Sequence, residues 1–326
     1  MKKSVVVLFS ILLLATAAVH SKPKKKPSAL SSQTQNMASN AVTYEFSGGR
    51  FGDCLLTYIH AKWIGYRYQM PVLYRPFKYS EQLALHALEP LYDKEMLSNF
   101  RTQVVLAQGE SVHPEARSVL FRVLYFPHSV YEHYFCNRRD PSNLPFFHMD
   151  YEDPAFKAEL RKVIRPIRVL PKMELPKDCT TVALHMRRGI GFDGPDLKFT
   201  TPYKEPPLSY YVSQLRILLN LYPEGPLYVH LFTDDPNPQA LLEELKEELA
   251  GLNIIYAARE SQNSHNSNVL EDFFAMLDFD CLVRPESNYS ICAEILGDFK
   301  AVCSVEYIQW EKNQPYVSKS RVVVKR

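Results

Sequence analysis

The sequence predicts an α/β fold of parallel sheets with helices on both faces, and three observations predict it. Residues 181–305 alternate short apolar runs with segments of helical period, the rhythm of right-handed β-α-β crossovers. Residues 42–74 repeat that rhythm once, with a Gly-rich turn between the first run and a long helical stretch. The chain is 46% hydrophobic and 12% aromatic, which supplies a core and excludes disordered, collagen-like and small disulfide-stapled classes.

The start reads Met1-Lys2-Lys3, then an apolar run from Val5 to Ala18 ending in small residues. A positive head, a short apolar middle and small residues at a cut site make a secretory signal over 1–21. The run is shorter than the ~20 residues of a spanning helix. Lys22, Lys24, Lys25 and Lys26 follow and impede translocation, so an uncleaved anchor is the alternative. Residues 22–40 have the composition of a flexible linker. The expectation is a protein exported or membrane-anchored through this segment: periplasmic, in a secretory lumen, or secreted. Formal net charge is +2, but residues 1–30 hold six Lys and no acid; taking those six away leaves −4 on the rest. A mildly acidic body excludes a general nucleic-acid binder, so any basic function is local.

In the first half, Val42–Phe46 reads as a strand, residues 47–53 as a Gly-rich turn, the stretch to Gln69 as a helix, and Pro71–Tyr74 as the start of the next strand. The aromatic-rich stretch 121–148 (Tyr125, Phe126, His128, Tyr131, Tyr134, Phe146, Phe147) reads as core, with sugar stacking as the alternative. Residues 151–175 read as a helical connector ending at Pro171. In the second half, strands are expected at Thr181–Met186, Leu227–Phe232, Asn253–Ala257, Cys281–Val283 and Ala301–Val305. Helices are expected at Leu208–Leu221, Gln239–Gly251, Leu270–Leu277 and Tyr289–Leu296. In the second of these, Asn237 suits the N-cap, Pro238 the first turn and Gly251 the C-cap. Domains are therefore expected at 41–175 and 176–311, with a tail over 312–326. None of the six Cys forms CxxC and no Cys/His spacing suits zinc. Cys281, Cys292 and Cys303 lie in apolar segments and read as buried thiols.

Four polar segments each follow an expected strand, and ligands of open α/β sheets bind at the carboxyl ends of strands. His185-Met186-Arg187-Arg188 can clamp a diphosphate through two guanidinium groups. Strand alternation would turn His185 and Arg187 to one side and Arg188 to the other; alone, the pair also suits a solvated corner. Thr233-Asp234-Asp235 offers a carboxylate to a purine edge or a ribose hydroxyl, or merely begins a helix. Ser287-Asn288-Tyr289-Ser290 offers backbone N–H groups and hydroxyls to an anion, or simply caps a helix. Gly48-Gly49-Arg50-Phe51-Gly52-Asp53 gathers three of only 11 glycines, so that backbone can approach a phosphate or sugar, or make a tight turn. Asn288-Tyr289-Ser290 is formally a glycosylation sequon, discounted because it falls inside this site. Asp278-Phe279-Asp280 is a D-x-D that can hold a divalent ion, or the two ends of a helix-to-strand junction with Phe279 in the core.

HMRR after a strand resembles the HxRR motif of the fucosyltransferase superfamily, which includes α1,2-, α1,6- and protein O-fucosyltransferases. GGRFGD before a helix is similar to that group's GRFGN-type opening. FTDDPNPQALLEEL and DCLVRPESNYSICAEILG resemble its second and third motifs, in the same order. The resemblance implies a GT-B fold, with two Rossmann-like domains facing a cleft. It implies GDP-fucose as donor, inversion at the anomeric carbon, no required metal or other cofactor, and a glycan or glycoprotein acceptor. It implies that Arg187 and Arg188 hold the β-phosphate, that His185 shapes the pocket and that Asp234 or Asp235 contacts guanosine. Ser287, Asn288, Tyr289 and Ser290 would serve the diphosphate, with Gly49, Arg50, Phe51, Gly52 and Asp53 facing it. The chain departs from the pattern where Gly189-Ile190-Gly191-Phe192 follows the arginines instead of an early Asp, and where Asp53 replaces the usual Asn. Asp53, Asp193 and Asp196 are the candidate general bases. Alternative readings are a D-x-D, metal-dependent glycosyltransferase using another nucleotide sugar, and a non-catalytic exported effector that binds glycan or protein.

Overall fold

The computed structural model describes residues 40–46, 48–106, 112, 117–124, 152–188, 201–264, 266–312 and 314–325. The leader, nearly all of the linker, the seven aromatic-stretch residues named above, Asp193 and Asp196 lie outside the described residues. Among the described residues no helix is long and apolar enough to cross a membrane.

β1 (Ala41–Glu45) ends its ladder yet is buried along almost its whole length, because residues 71–73 cover its outer side. It pairs with β3 (Val119–Leu124), which pairs in turn with β2 (Thr102–Leu106), all parallel. Pro71–Tyr74 meets β1 at one isolated bridge, Val42 with Val72, and its other bridge pairs Tyr74 with Leu91, outside β1. The prolines at 71 and 76 bracket the segment and limit the ladder. Between β1 and this segment lies α1 (Phe51–Tyr68), which ends where Gln69 takes a left-handed conformation and the Met70 N–H bonds Gly65 O. A one-turn helix, α2 (Leu85–Leu88), follows. The connector is helical only over α3 (Pro154–Val163), capped by Asp153, whose carboxylate accepts from the Ala155 and Phe156 N–H groups. Pro166 stops it well before Pro171.

The second sheet has six strands: β4 (Thr180–Met186), β5 (Leu227–Thr233), β6 (Ile254–Ala258), β7 (Cys281–Arg284), β8 (Ala301–Glu311) and β9 (Gln314–Val324). Their order is β6-β5-β4-β7-β8-β9. The first five strands are parallel in the doubly-wound order 3-2-1-4-5, whose switch point lies between β4 and β7. After the one-turn α4 (Thr201–Lys204), the helices α5 (Leu208–Leu221) and α6 (Pro238–Glu248) cover one face, packing on Val182, Leu184, Val229 and Leu231. α7 (Val269–Met276) and α8 (Asn288–Leu296) cover the other, packing on Ala183, Phe232 and Leu282.

Residues 312–326 are not a tail. Residues 314–324 form β9, antiparallel to a β8 that runs six residues past Val305. The strand hides in the sequence because an edge strand buries little, and its Ser318, Lys319, Ser320 and Arg321 carry no apolar alternation. The apolar core under α7 and α8 continues without a break into α1, β1 and β3, so both sheets share it.

Candidate active site

The carboxyl ends of β1, β4, β5 and β7 open on one cleft of about 400 Å³. Its walls include Gly49 to Asp53, His185, Arg187, Thr233, Asp234 and Glu286 to Tyr289, so all four sequence segments meet there.

The floor is set by two helix starts. Gly52, in the first turn of α1, lies so close to α8 that a Cβ would stand 2.4 Å from Tyr289 N and 2.7 Å from Tyr289 Cα. Only glycine permits this approach, and it brings the positive ends of two helix dipoles to one point. Ser287, the N-cap of α8, makes no side-chain capping bond, so the helix's first-turn donors are not claimed by their own cap. Gly49 (φ +92°) turns the chain into α1 and sits against the Asp53 side chain. Asp53 Oδ2 accepts from the Arg50 N–H at 2.8 Å, and Oδ1 accepts from Asn288 Nδ2 at 2.6 Å. Both carboxylate oxygens are thus engaged, and Asp53 joins the two helix starts.

Alternation along β4 continues past the strand's end. His185 and Arg187 line the cleft and Arg188 does not. The Arg188 backbone N–H donates to Asp234 Oδ1 at 2.8 Å, and its charge, like that of Asp234 in the cleft wall, bears on Tyr211 of α5. Of the two arginines, Arg187 is in the cleft wall. Asp234 lines the cleft; Asp235 does not, because its carboxylate accepts from the Asn237 N–H at 2.8 Å in the turn before α6. Burial pushes the His185 imidazole down to about 4, reinforced by the charges of Arg187 and Arg284 and opposed by Asp234. His185 is thus neutral at pH 7, and in the described structure its buried Nδ1 has no hydrogen-bond partner.

The hydroxyls expected to serve the diphosphate are spent inside the fold. Ser290 Oγ donates to Ser287 O at 3.2 Å and is fully buried. Tyr289 OH donates to Val269 O at 2.7 Å, holding its ring against Phe51, Phe273 and His185. What remains there for an anion is backbone and the Ser287 side chain. Behind the loop, Arg284 is fully buried and held by Glu294 and Glu286. The Asn288 side chain is committed to Asp53 in the cleft wall, in keeping with the discounted sequon.

Several lining residues escape the sequence reading. Phe77, Lys78 and Tyr79 follow the short segment beside β1, and Ser264, Asn266 and Ser267 follow β6. Both groups follow strands expected from the sequence, Pro71–Tyr74 and Asn253–Ala257, so the strand-end rule applies to them as well. These two loops meet across the cleft mouth, where Lys78 Nζ donates to Asn266 Oδ1 (2.9 Å) and Tyr79 OH to Asn266 O (3.1 Å). Asp272, one turn into α7, and Lys204, in α4, carried no signal. The Asp272 carboxyl is raised by burial, against the pull of Arg259, whose guanidinium it accepts at 2.6 Å.

Asp278-Phe279-Asp280 lies at the other edge of the sheet, before β7. Asp280 accepts from Thr181 N and Oγ1 and pairs with Lys300 at 2.7 Å, and Phe279 is buried. Among the described residues no cluster of three His, Cys, Asp or Glu is arranged to hold a metal.

No family model matches the chain, and no curated protein matches it. Solved structures do. A mutant of Arabidopsis thaliana FUT1 in complex with GDP is 13% identical with a TM-score of 0.50, covering 85% of this chain and 71% of that one. POFUT1 in complex with GDP-fucose is 11% identical with a TM-score of 0.41, over 82% of this chain and 97% of that one. Fucosyltransferase NodZ from Bradyrhizobium is 12% identical with a TM-score of 0.42, over 88% and 99%. At such identity the likeness to FUT1 is one of fold, and the fold of this chain is the GT-B fold seen in fucosyltransferase structures.

Proposed function

We propose that this protein is a glycosyltransferase that moves fucose from GDP-fucose, with inversion, to a hydroxyl of a glycan or protein, and does so without a metal ion. One observation carries the reading. At the switch point of a doubly-wound sheet, Arg187 and two converging helix N-termini face one cleft, beside the carboxylate of Asp234. That is the equipment of a nucleoside-diphosphate site. When the bond from the sugar anomeric carbon to the β-phosphate oxygen breaks, the electron pair stays on that oxygen. A fixed guanidinium and aligned peptide dipoles stabilise this charge without reorganising. The acceptor hydroxyl attacks from the opposite face of the sugar and gives up its proton. Asp193 and Asp196 are the proposed bases; a loose ion-pair mechanism needs none. The Lys-led apolar start of the chain supports an exported or membrane-anchored enzyme.

A second reading is a non-catalytic effector that binds glycan or protein on the same fold. It is favoured by the protein donors that Asp53, Asp234 and Asp272 already hold in the cleft wall. Calorimetry with GDP in excess EDTA, followed by a donor screen, separates the readings. GDP binding in EDTA and turnover of GDP-fucose, but not of GDP-mannose or UDP-sugars, is the expected result. No heat at millimolar GDP overturns the donor-site reading.

A further inference from the structure

We propose that Lys204 is the second cation on the donor diphosphate, the place that adjacency alone would give to Arg188; this rests on the donor-site reading above. Arg188 is not in the cleft wall, and its backbone N–H is tied to Asp234. The cleft walls carry Arg50 at the start of α1 and Lys78, tied to Asn266 at the mouth, as well as Arg187. Lys204 lines the cleft with it, although 16 residues separate them in sequence. The fold fixes how Lys204 arrives. The carbonyl of its neighbour Tyr203 accepts from the Glu286 N–H at 2.8 Å, which docks α4 on the loop that starts α8. The Tyr203 hydroxyl accepts from the Ile308 N–H at 3.4 Å, docking the same turn on β8. Lys204 is thus mounted on the loop that presents the α8 dipole, so its ammonium and those peptide donors address one anion. An ammonium on a flexible stem suits this position, because it can follow the phosphate oxygens as charge shifts between them.

The test is calorimetry of the full chain with three probes: GDP, guanosine and inorganic pyrophosphate. Lys204→Ala should weaken GDP and pyrophosphate at least tenfold and leave guanosine within twofold, while Lys204→Arg should stay within about threefold for all three. Circular dichroism and melting temperature of the variants should match the parent, since Lys204 is only half-buried at the cleft surface. If the parent binds GDP and Lys204→Ala binds it equally well, the inference fails and the donor-site reading stands. If the parent binds pyrophosphate in a Lys204-dependent way but not GDP, the inference stands and the guanine-nucleotide reading falls. If the parent binds neither, both fall.

Discussion

Asp53 and Asn288 meet at 2.6 Å across the floor of the cleft, one from the helix that follows β1, the other from the helix that follows β7. The contact joins the two sheets at the point where their helices begin. Because Asp53 also accepts from the Arg50 N–H, one carboxylate holds a turn and a neighbouring helix at once. Removing it leaves two donors without their acceptor. Asp53→Ala should cost about 1–3 kcal/mol in urea unfolding. A double-mutant cycle with Asn288→Ala should return a coupling of about 1 kcal/mol or more. Additive effects would mean that the contact contributes nothing. If Asp53 is a positioning group, Asp53→Asn should also leave the acid limb of the pH–rate profile where it was.

Gly52 makes a sharper test of how the two helix starts approach. An added Cβ collides with backbone atoms of Tyr289, not with a side chain that can swing away. Gly52→Ala should therefore destabilise by about 1–3 kcal/mol and weaken GDP binding as well, because α1 must shift from α8. Gly48→Ala is the control. It meets open space, although its φ of +111° strains any residue with a Cβ. It should cost about 1–3 kcal/mol of strain and leave GDP affinity within about threefold. Equal losses of affinity in the two variants would remove the packing argument.

The two arginines should separate in function as they do in space. Arg187 lines the cleft and is 9% exposed; Arg188 is not in its walls. Arg187→Ala should lower GDP affinity at least tenfold, about 1.4 kcal/mol. Arg188→Ala should lower it less than threefold, since the Arg188 contact to Asp234 is made by its backbone N–H, which alanine keeps. Titration of GDP into both variants decides. An Arg188 effect as large as that of Arg187 would return both to the phosphate.

How far the sequence reached follows from what each signal depends on. Strands β4 to β8 were legible because buried parallel strands are continuous apolar runs, and α6 because Asn237-Pro238 caps it, whereas the edge strand β9 was not. The site was legible as four polar segments because the strand-end rule needs only the strand. Lys78 and Asn266 also follow expected strands, but their segments hold no glycine run, paired arginine or paired acid and so do not stand out from ordinary loops. The alternation that separates Arg187 from Arg188 at the cleft wall was legible, although both arginines were expected on the phosphate. The internal use of a hydroxyl was not, since the partners of Ser290 and Tyr289 are set by packing. Lys204 was invisible because its position depends on contacts with residues 286 and 308, far along the chain.

Acid should destabilise the protein through histidines held neutral inside it. Burial pushes His185 and His230 each down to about 4, with Arg187 and Arg284 adding to the effect at His185 and Arg259 at His230. In the unfolded chain both titrate near about 6.5. Between those values the unfolded state binds protons that the folded state refuses. The stability these groups contribute is therefore complete above about pH 6.5 and is lost progressively as pH falls toward 4. By pH 5 the loss is about 2 kcal/mol for each histidine. Urea unfolding at pH 7.5 and pH 5.0 measures the total, and His185→Asn should reduce the pH dependence by roughly its share. Proton NMR supplies a site-specific check: the His185 ring signals should stay in the neutral position down to pH 5. A midpoint near pH 6.5 would mean that water reaches this imidazole, and that the cleft wall around it is open rather than packed.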